Sequence, residues 1–256
     1  MVEPGNEYLW YLAFALIGVV AGFVNTLAGG GSLLTLPVLM LAGLPPHIAN
    51  ASNRVAVFLQ GVAGTTAFDR EGRLDRSNAF AISAPTLIGS LGGAVTAAYL
   101  PNDILKPVLL TAMMTIAVVL LVRPTLLAPP PEGTPRTLSE APMAIPVLVA
   151  VGFYGGFAQA GVGIFLLAAF GGMLRYDLVR ANALKLLVTT AFTGLALLVF
   201  IGAGQVRWIP GLALAVGMVT GARIAVRFAI STGQETLRKF VLGVAIVSCI
   251  AAWVRG

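Results

Sequence analysis

The sequence predicts an all-α polytopic membrane protein of two inverted repeats, each holding four spanning helices plus a short half-helix after a glycine break. Three observations lead there. Of the 256 residues, 58% are hydrophobic and only 10% charged, with mean hydropathy +0.93; an ordinary soluble domain carries roughly 25% charge. The apolar residues fall into ten runs, eight of them near the roughly 20 residues that a bilayer crossing requires. The order of long and short runs then repeats along the chain.

The first run, about residues 8–28, follows a start that holds Glu3 and Glu7 but no basic side chain. That start lacks the basic region of a cleaved secretory signal, so the run is expected to be retained. It ends at Gly29-Gly30-Gly31-Ser32. Adjacent glycines lose too much backbone entropy to hold a helix together. Backbone broken inside an apolar layer survives only against protein or a wet cavity. The second run, 32–44, is too short to cross and reads as a half-helix. Ser32 is its expected N-cap, leaving the next amides for an anion. Runs at 49–68, 78–100 and 103–122 complete a first repeat, residues 1–122. The linker 123–142 contains Pro129-Pro130-Pro131 and cannot be helical throughout. The second repeat, 143–256, opens with a run at 143–160 and breaks around Gly161-Val162-Gly163. A second half-helix follows at 163–174, then runs at 179–201, 207–230 and 236–254.

An offset of 132 carries Gly29 onto Gly161, Gly31 onto Gly163, Asn50 onto Asn182, Gly72 onto Gly204 and Gly89 onto Gly221. Each match is weak alone; with the repeated order of runs they indicate a duplication. When each broken pair returns to its own side, Arg70, Arg73, Arg76, Arg123, Arg136, Arg175, Arg180, Arg227 and Arg238 share one face. By the positive-inside rule that face, with the linker, is cytoplasmic. Both termini are then extracytoplasmic and the repeats inverted. Trp10, Tyr11, Tyr99 and Trp208 lie near run ends, as interfacial belts do. Gly18/Gly22, Gly89/Gly93, Gly152/Gly156 and Gly217/Gly221 have the four-residue spacing that lets helices approach closely.

Polar residues within the runs are the candidate site: Asn25 with Gly29, Gly30, Gly31 and Ser32; Gln159 with Gly161 and Gly163; Asn50, Ser52, Asn53 and Arg54; and Asn182 with Lys185. Arg54 and Lys185 have no acidic residue in their own runs, which points to an anionic ligand as the missing partner. Snorkelling to the interface is the open alternative, and the amides could instead serve as interhelical glue. The net charge of +6 is scattered between apolar runs, which argues against nucleic acid. One histidine and one remote cysteine, Cys249, offer no metal cluster and permit no internal disulfide. No cofactor is expected. An intramembrane serine protease would need Ser32 as nucleophile and His47 as base, a pairing that the sequence does not support.

With those residues in view, the chain resembles the sulfite exporter TauE/SafE family. The resemblance rests on Gly22-Phe23-Val24-Asn25 through Gly29-Gly30-Gly31-Ser32, Pro37, Gly43-Leu44-Pro45-Pro46-His47, the stretch 49–55, and the 70–75 loop with Gly72. Gly152 through Gly163 and Ala181-Asn182-Ala183 echo it in the second half. Many relatives have Thr-Ser where this chain reads Ser52-Asn53. The resemblance implies a bacterial-type inner-membrane permease for small sulfur-containing anions. Its partners would be such an anion, sulfite first, and the lipid bilayer, with homo-oligomerisation left open. A carrier working by alternating access is the expected mechanism, and a passive anion channel with the same site is the alternative.

Overall fold

The computed structural model describes residues 7–122, 134–232 and 236. Helices form where apolar runs meet local start and stop signals. α1 (Glu7–Ala28) stops at Gly29, which takes φ +80°, and α2 (Ser32–Leu41) stops before Gly43 at φ +88°. Glycine adopts this left-handed backbone without steric cost. α3 (Pro46–Arg70) opens with proline at its first position, where no amide is needed. α4 (Arg76–Tyr99) is capped by Asp75, whose carboxylate accepts from the Ser77 and Asn78 amides. α5 (Asn102–Val122) and α6 (Ala144–Phe157) follow. α7 (Val162–Ala168) continues as a π-turn over Ala169–Met173. Asp177 caps α8 (Leu178–Gly202), and α9 (Trp208–Ser231) comes last. No strand occurs among the described residues.

Four of these helices, α1, α4, α8 and α9, are long and apolar enough to cross a membrane. α3 matches them in length, but it is buried on all sides over residues 49–57 and carries Asn50, Ser52, Asn53, Arg54 and Gln60 inward. The two half-helices are short, as expected: α2 has 10 residues and α7 has 7. The sixth run departs from expectation. Its helix is only 14 residues, because residues 158–160 are drawn into the second break instead of extending α6. The tenth run and residues 123–133 of the linker lie outside the described residues, apart from residue 236.

The glycine stripes act as packing surfaces. A Cβ on Gly18 or Gly22 would collide with the α9 backbone around Leu214–Met218, and one on Gly217 or Gly221 with α1 at Ala15 and Val19. Gly89 and Gly93 meet α6 at Val149 and Phe153, and Gly152 and Gly156 meet α4 at Thr86 and Ser90. Each half thus sends a helix against the other: α1 on α9, and α6 on α4. α3 and α8 pack on each other at the centre, with α3 also on α9 and α8 on α4.

Connections gather at two ends. At one, Tyr176 Oη donates to Asp75 Oδ2 at 2.7 Å and the Arg136 amide to Leu174 O at 2.9 Å. At the other, His47 pairs with Asn102 at 2.6 Å, Gln205 Nε2 donates to Ala98 O at 2.7 Å, and the Arg207 amide to Ser52 Oγ at 2.9 Å. α4 joins these ends with 24 residues, roughly 36 Å at 1.5 Å per residue. Partial burial opposes the Asp75 charge, but hydrogen bonds from Ser77, Tyr176 and Asn78 outweigh it and hold the carboxyl well below its usual range. Burial, then the bond to Asp75, raises the Tyr176 phenol, so it remains a donor.

Candidate functional site

The two breaks meet each other. A Cβ on Gly29 would run into the Gly163 backbone, and one on Gly163 into Gly29. Gly161 and Gln159 also lie at positive φ, +71° and +60°; for glutamine that is an uncommon, strained conformation. Between the breaks lies a cavity of about 10 Å³, room for about one water. Asn25, Gly29, Ser32, Gln159, Gly163 and Lys185 line it, with Val57, Val162, Leu186 and Thr189. Of the residues singled out from sequence, these six are brought together.

A hydrogen-bond chain fixes the first break. The Gly31 amide donates to Asn25 Oδ1 at 3.2 Å, so Asn25 Nδ2 faces Gln60 Oε1 at 2.6 Å. Gln60 Nε2 then donates to Thr26 Oγ1 at 2.9 Å. The amides after Ser32, expected to await an anion, are used as well: the Leu33 amide donates to Gly30 O and the Leu34 amide to Gly31 O, each at 3.0 Å. Ser32 is not the N-cap either. Gly31 holds that position without any side-chain cap, because the Ser32 hydroxyl turns to α3 and accepts from Asn53 Nδ2 at 3.2 Å. Thr35 Oγ1 donates to Asn53 Oδ1 at 2.6 Å and completes the link.

In the second break, Gln159 Nε2 donates to Thr193 Oγ1 at 2.6 Å. Gln159 Oε1 and Thr189 Oγ1 are buried without a hydrogen-bond partner among the described residues, and both residues line the cavity. Buried polar atoms are rarely left unpaired.

For the cations, the snorkelling alternative fails. Arg54 is 0% exposed and Lys185 1%, so neither snorkels. Their partners are main-chain carbonyls of the opposite half, joined for Lys185 by the side chain of Asn182. Arg54 Nη1 donates to Gly155 O at 3.0 Å, and Nη2 to Gly156 O at 2.5 Å and Phe157 O at 3.3 Å. Lys185 Nζ donates to Asn25 O at 2.9 Å, Thr26 O at 2.7 Å and Asn182 Oδ1 at 2.7 Å. A helix that stops inside the protein leaves its last carbonyls unpaired and carries partial negative charge there. Each cation caps one such end, α6 for Arg54 and α1 for Lys185. Asn50 Nδ2 adds a bond to Phe157 O at 2.9 Å.

Asn50, Ser52 and Arg54 therefore stand away from the cavity lining, Asn53 reaches it through Ser32, and Asn182 through Lys185. Gly30, Gly31 and Gly161 belong to the breaks themselves. His47 pairs with Asn102 and Ser32 with Asn53, so the two form no nucleophile–base pair. Sequence reasoning missed Thr26, Thr35, Gln60, Thr189 and Thr193. A signal for two of them was present: Lys185, Thr189 and Thr193 recur every four residues on one face of α8.

The profile of the sulfite exporter TauE/SafE family matches residues 14–252. The chain belongs to the TauE/SafE family. Among similar TauE/SafE-like proteins is the probable membrane transporter protein YfcA of Escherichia coli (strain K12), 34% identical over 232 residues, covering 90% of this chain and 85% of that one. The probable membrane transporter protein ORF9 of Sinorhizobium sp is 26% identical, covering 93% and 91%. The probable membrane transporter protein YtnM of Bacillus subtilis (strain 168) is 24% identical, covering 84% and 73%. No solved structure matches this TauE/SafE chain significantly.

Proposed function

We propose that the protein is a secondary transporter that exports a small sulfur-containing oxyanion, sulfite first, across a bacterial-type plasma membrane by alternating access. One observation carries the reading. Two cations are buried at the meeting of the halves, while no Asp or Glu is buried among the described residues. Neutral carbonyl dipoles and the Phe200 ring offset them, so the core keeps a positive excess that favours an anion. At the cavity, the Lys185 ammonium and the Thr189 hydroxyl, which is buried without a partner among the described residues, are donors able to replace an oxyanion's hydration.

Residues 1–122 and 143–256 act as two inverted repeats. Exchanging the halves turns the α1–α9 packing into α6–α4, α3–α9 into α8–α4, and leaves α3–α8 in place. The exchanged roles of Arg54 and Lys185 follow the same relation. A site at the meeting of two such repeats suits rocking of one against the other, and a cavity of about 10 Å³ fits an occluded stage of that cycle. The arginine-rich end is assigned to the cytoplasm and both termini to the outside.

Radiolabelled sulfite flux in proteoliposomes tests this, with sulfate, thiosulfate and taurine as competitors and with or without a pH gradient. Saturable flux with counterflow is expected. Flux without counterflow would make the protein a channel, and no sulfur-oxyanion flux would overturn the reading.

A further inference from the structure

The two buried cations look equivalent by symmetry, yet they face different surroundings. Arg54 is enclosed. Three carbonyls take its guanidinium protons, the Phe200 ring lies 4.8 Å from its central carbon, and it does not line the cavity. Lys185 lines the cavity, and its stem lies against Gly163 of the opposing break. All three of its ammonium protons are used, two of them on the last carbonyls of α1. The same Asn25 that offers one carbonyl holds the Gly31 amide through its side chain. The ammonium therefore holds the α1 side of the first break, and Asn25 links that side to Gly31.

We infer that Lys185 is the group that converts anion binding into movement of the first break, while Arg54 is a fixed pin on the second. This rests on the oxyanion reading above. The cavity of about 10 Å³ takes one water and is too small for an anion with three oxygens, so binding must part something. The acceptors around Lys185 are neutral. An oxyanion brings a full negative charge where the carbonyls offer only dipoles, and in a buried site that Coulomb attraction is strong, so an arriving oxyanion draws the ammonium from Asn25 O and Thr26 O. α1 loses its terminal cap, and Gly29 separates from Gly163. Nothing equivalent reaches Arg54, so the second break keeps its anchor and the movement is one-sided.

Hydrogen–deuterium exchange on purified protein, paired with sulfite titration calorimetry, tests this. In the wild type, sulfite should speed exchange severalfold over residues 25–35 and leave residues 155–164 unchanged. Lys185→Gln should show the fast exchange over 25–35 without sulfite, and its sulfite affinity should fall at least tenfold. Arg54→Lys should retain the sulfite response at 25–35. Equal responses at both breaks in the wild type would overturn the inference, as would wild-type sulfite affinity in Lys185→Gln. The first of these needs no variant to fold. A wild type that binds neither sulfite, thiosulfate nor sulfate would instead overturn the oxyanion reading itself, and this inference with it.

Discussion

At the scale of single residues, the second break spends stability on a side chain. Gln159 holds φ +60°, where a residue with a Cβ bears a cost of about 1–3 kcal/mol. A glycine there would carry no such cost, so the amide is worth more than the strain. Gln159→Gly should melt within a few degrees of the wild type, because the lost bond to Thr193 is offset by relief of the backbone. Its sulfite flux should nonetheless fall at least tenfold. Unchanged flux would remove Gln159 from the site. Arg54 behaves in the opposite way. Arg54→Met leaves the Gly155, Gly156 and Phe157 carbonyls without their cationic donor, a loss of about 1–3 kcal/mol for buried acceptors left unsatisfied. Thermal unfolding in detergent should show a clearly lowered midpoint; an unchanged midpoint would mean that Asn50 and water suffice for that helix end.

At the scale of elements, two neighbouring glycines on α4 separate packing from propensity. A Cβ on Gly92 makes ordinary contact with the Phe153 ring at 3.6 Å, whereas one on Gly93 collides with the Phe153 carbonyl and the Phe157 amide. Gly92→Ala should preserve or slightly raise stability, since alanine is the better helix former by roughly 0.5–1 kcal/mol. Gly93→Ala should push α6 away from α4 and lower both the melting midpoint and the yield of monodisperse protein. Equal behaviour of the two would refute the close approach. Such stripes were readable in the sequence because four-residue glycine spacing is local and has one geometric meaning. The breaks at Gly29–Gly31 and Gly161–Gly163 were readable for the same reason. The partners of Arg54 and Lys185 were not. Apart from Asn182, which the sequence already sets one turn from Lys185, they are main-chain carbonyls, which every residue has, so no side-chain pattern marks them. Ser32 misled likewise: a serine before an apolar run suits an N-cap, but Asn53, contributed by α3, competes for its hydroxyl.

At the scale of the whole molecule, charge and shape give the two ends different roles. Arg70, Arg73, Arg76, Arg136, Arg175 and Arg180 belong to the end joined by Asp75 and Tyr176, while Lys106 and Arg207 belong to the other. That other end opens into a vestibule of about 1020 Å³, lined by Trp10, Tyr11, Phe14, Arg207 and Trp208 with the residues around Gly43–Pro45 and Ile48. Moving a cluster of arginines across a membrane is disfavoured, so the proposed orientation puts the arginine-rich end in the cytoplasm and turns the vestibule outward. Exposed Glu71 and Asp103 mark the two ends. In a Cys249→Ser background, Asp103→Cys should react with a membrane-impermeant maleimide on intact cells. Glu71→Cys should react only after permeabilisation. The reverse pattern would place the vestibule in the cytoplasm. A shut core beneath an outward vestibule would then become one beneath an inward vestibule, and export would begin, not end, at the tryptophan-lined face.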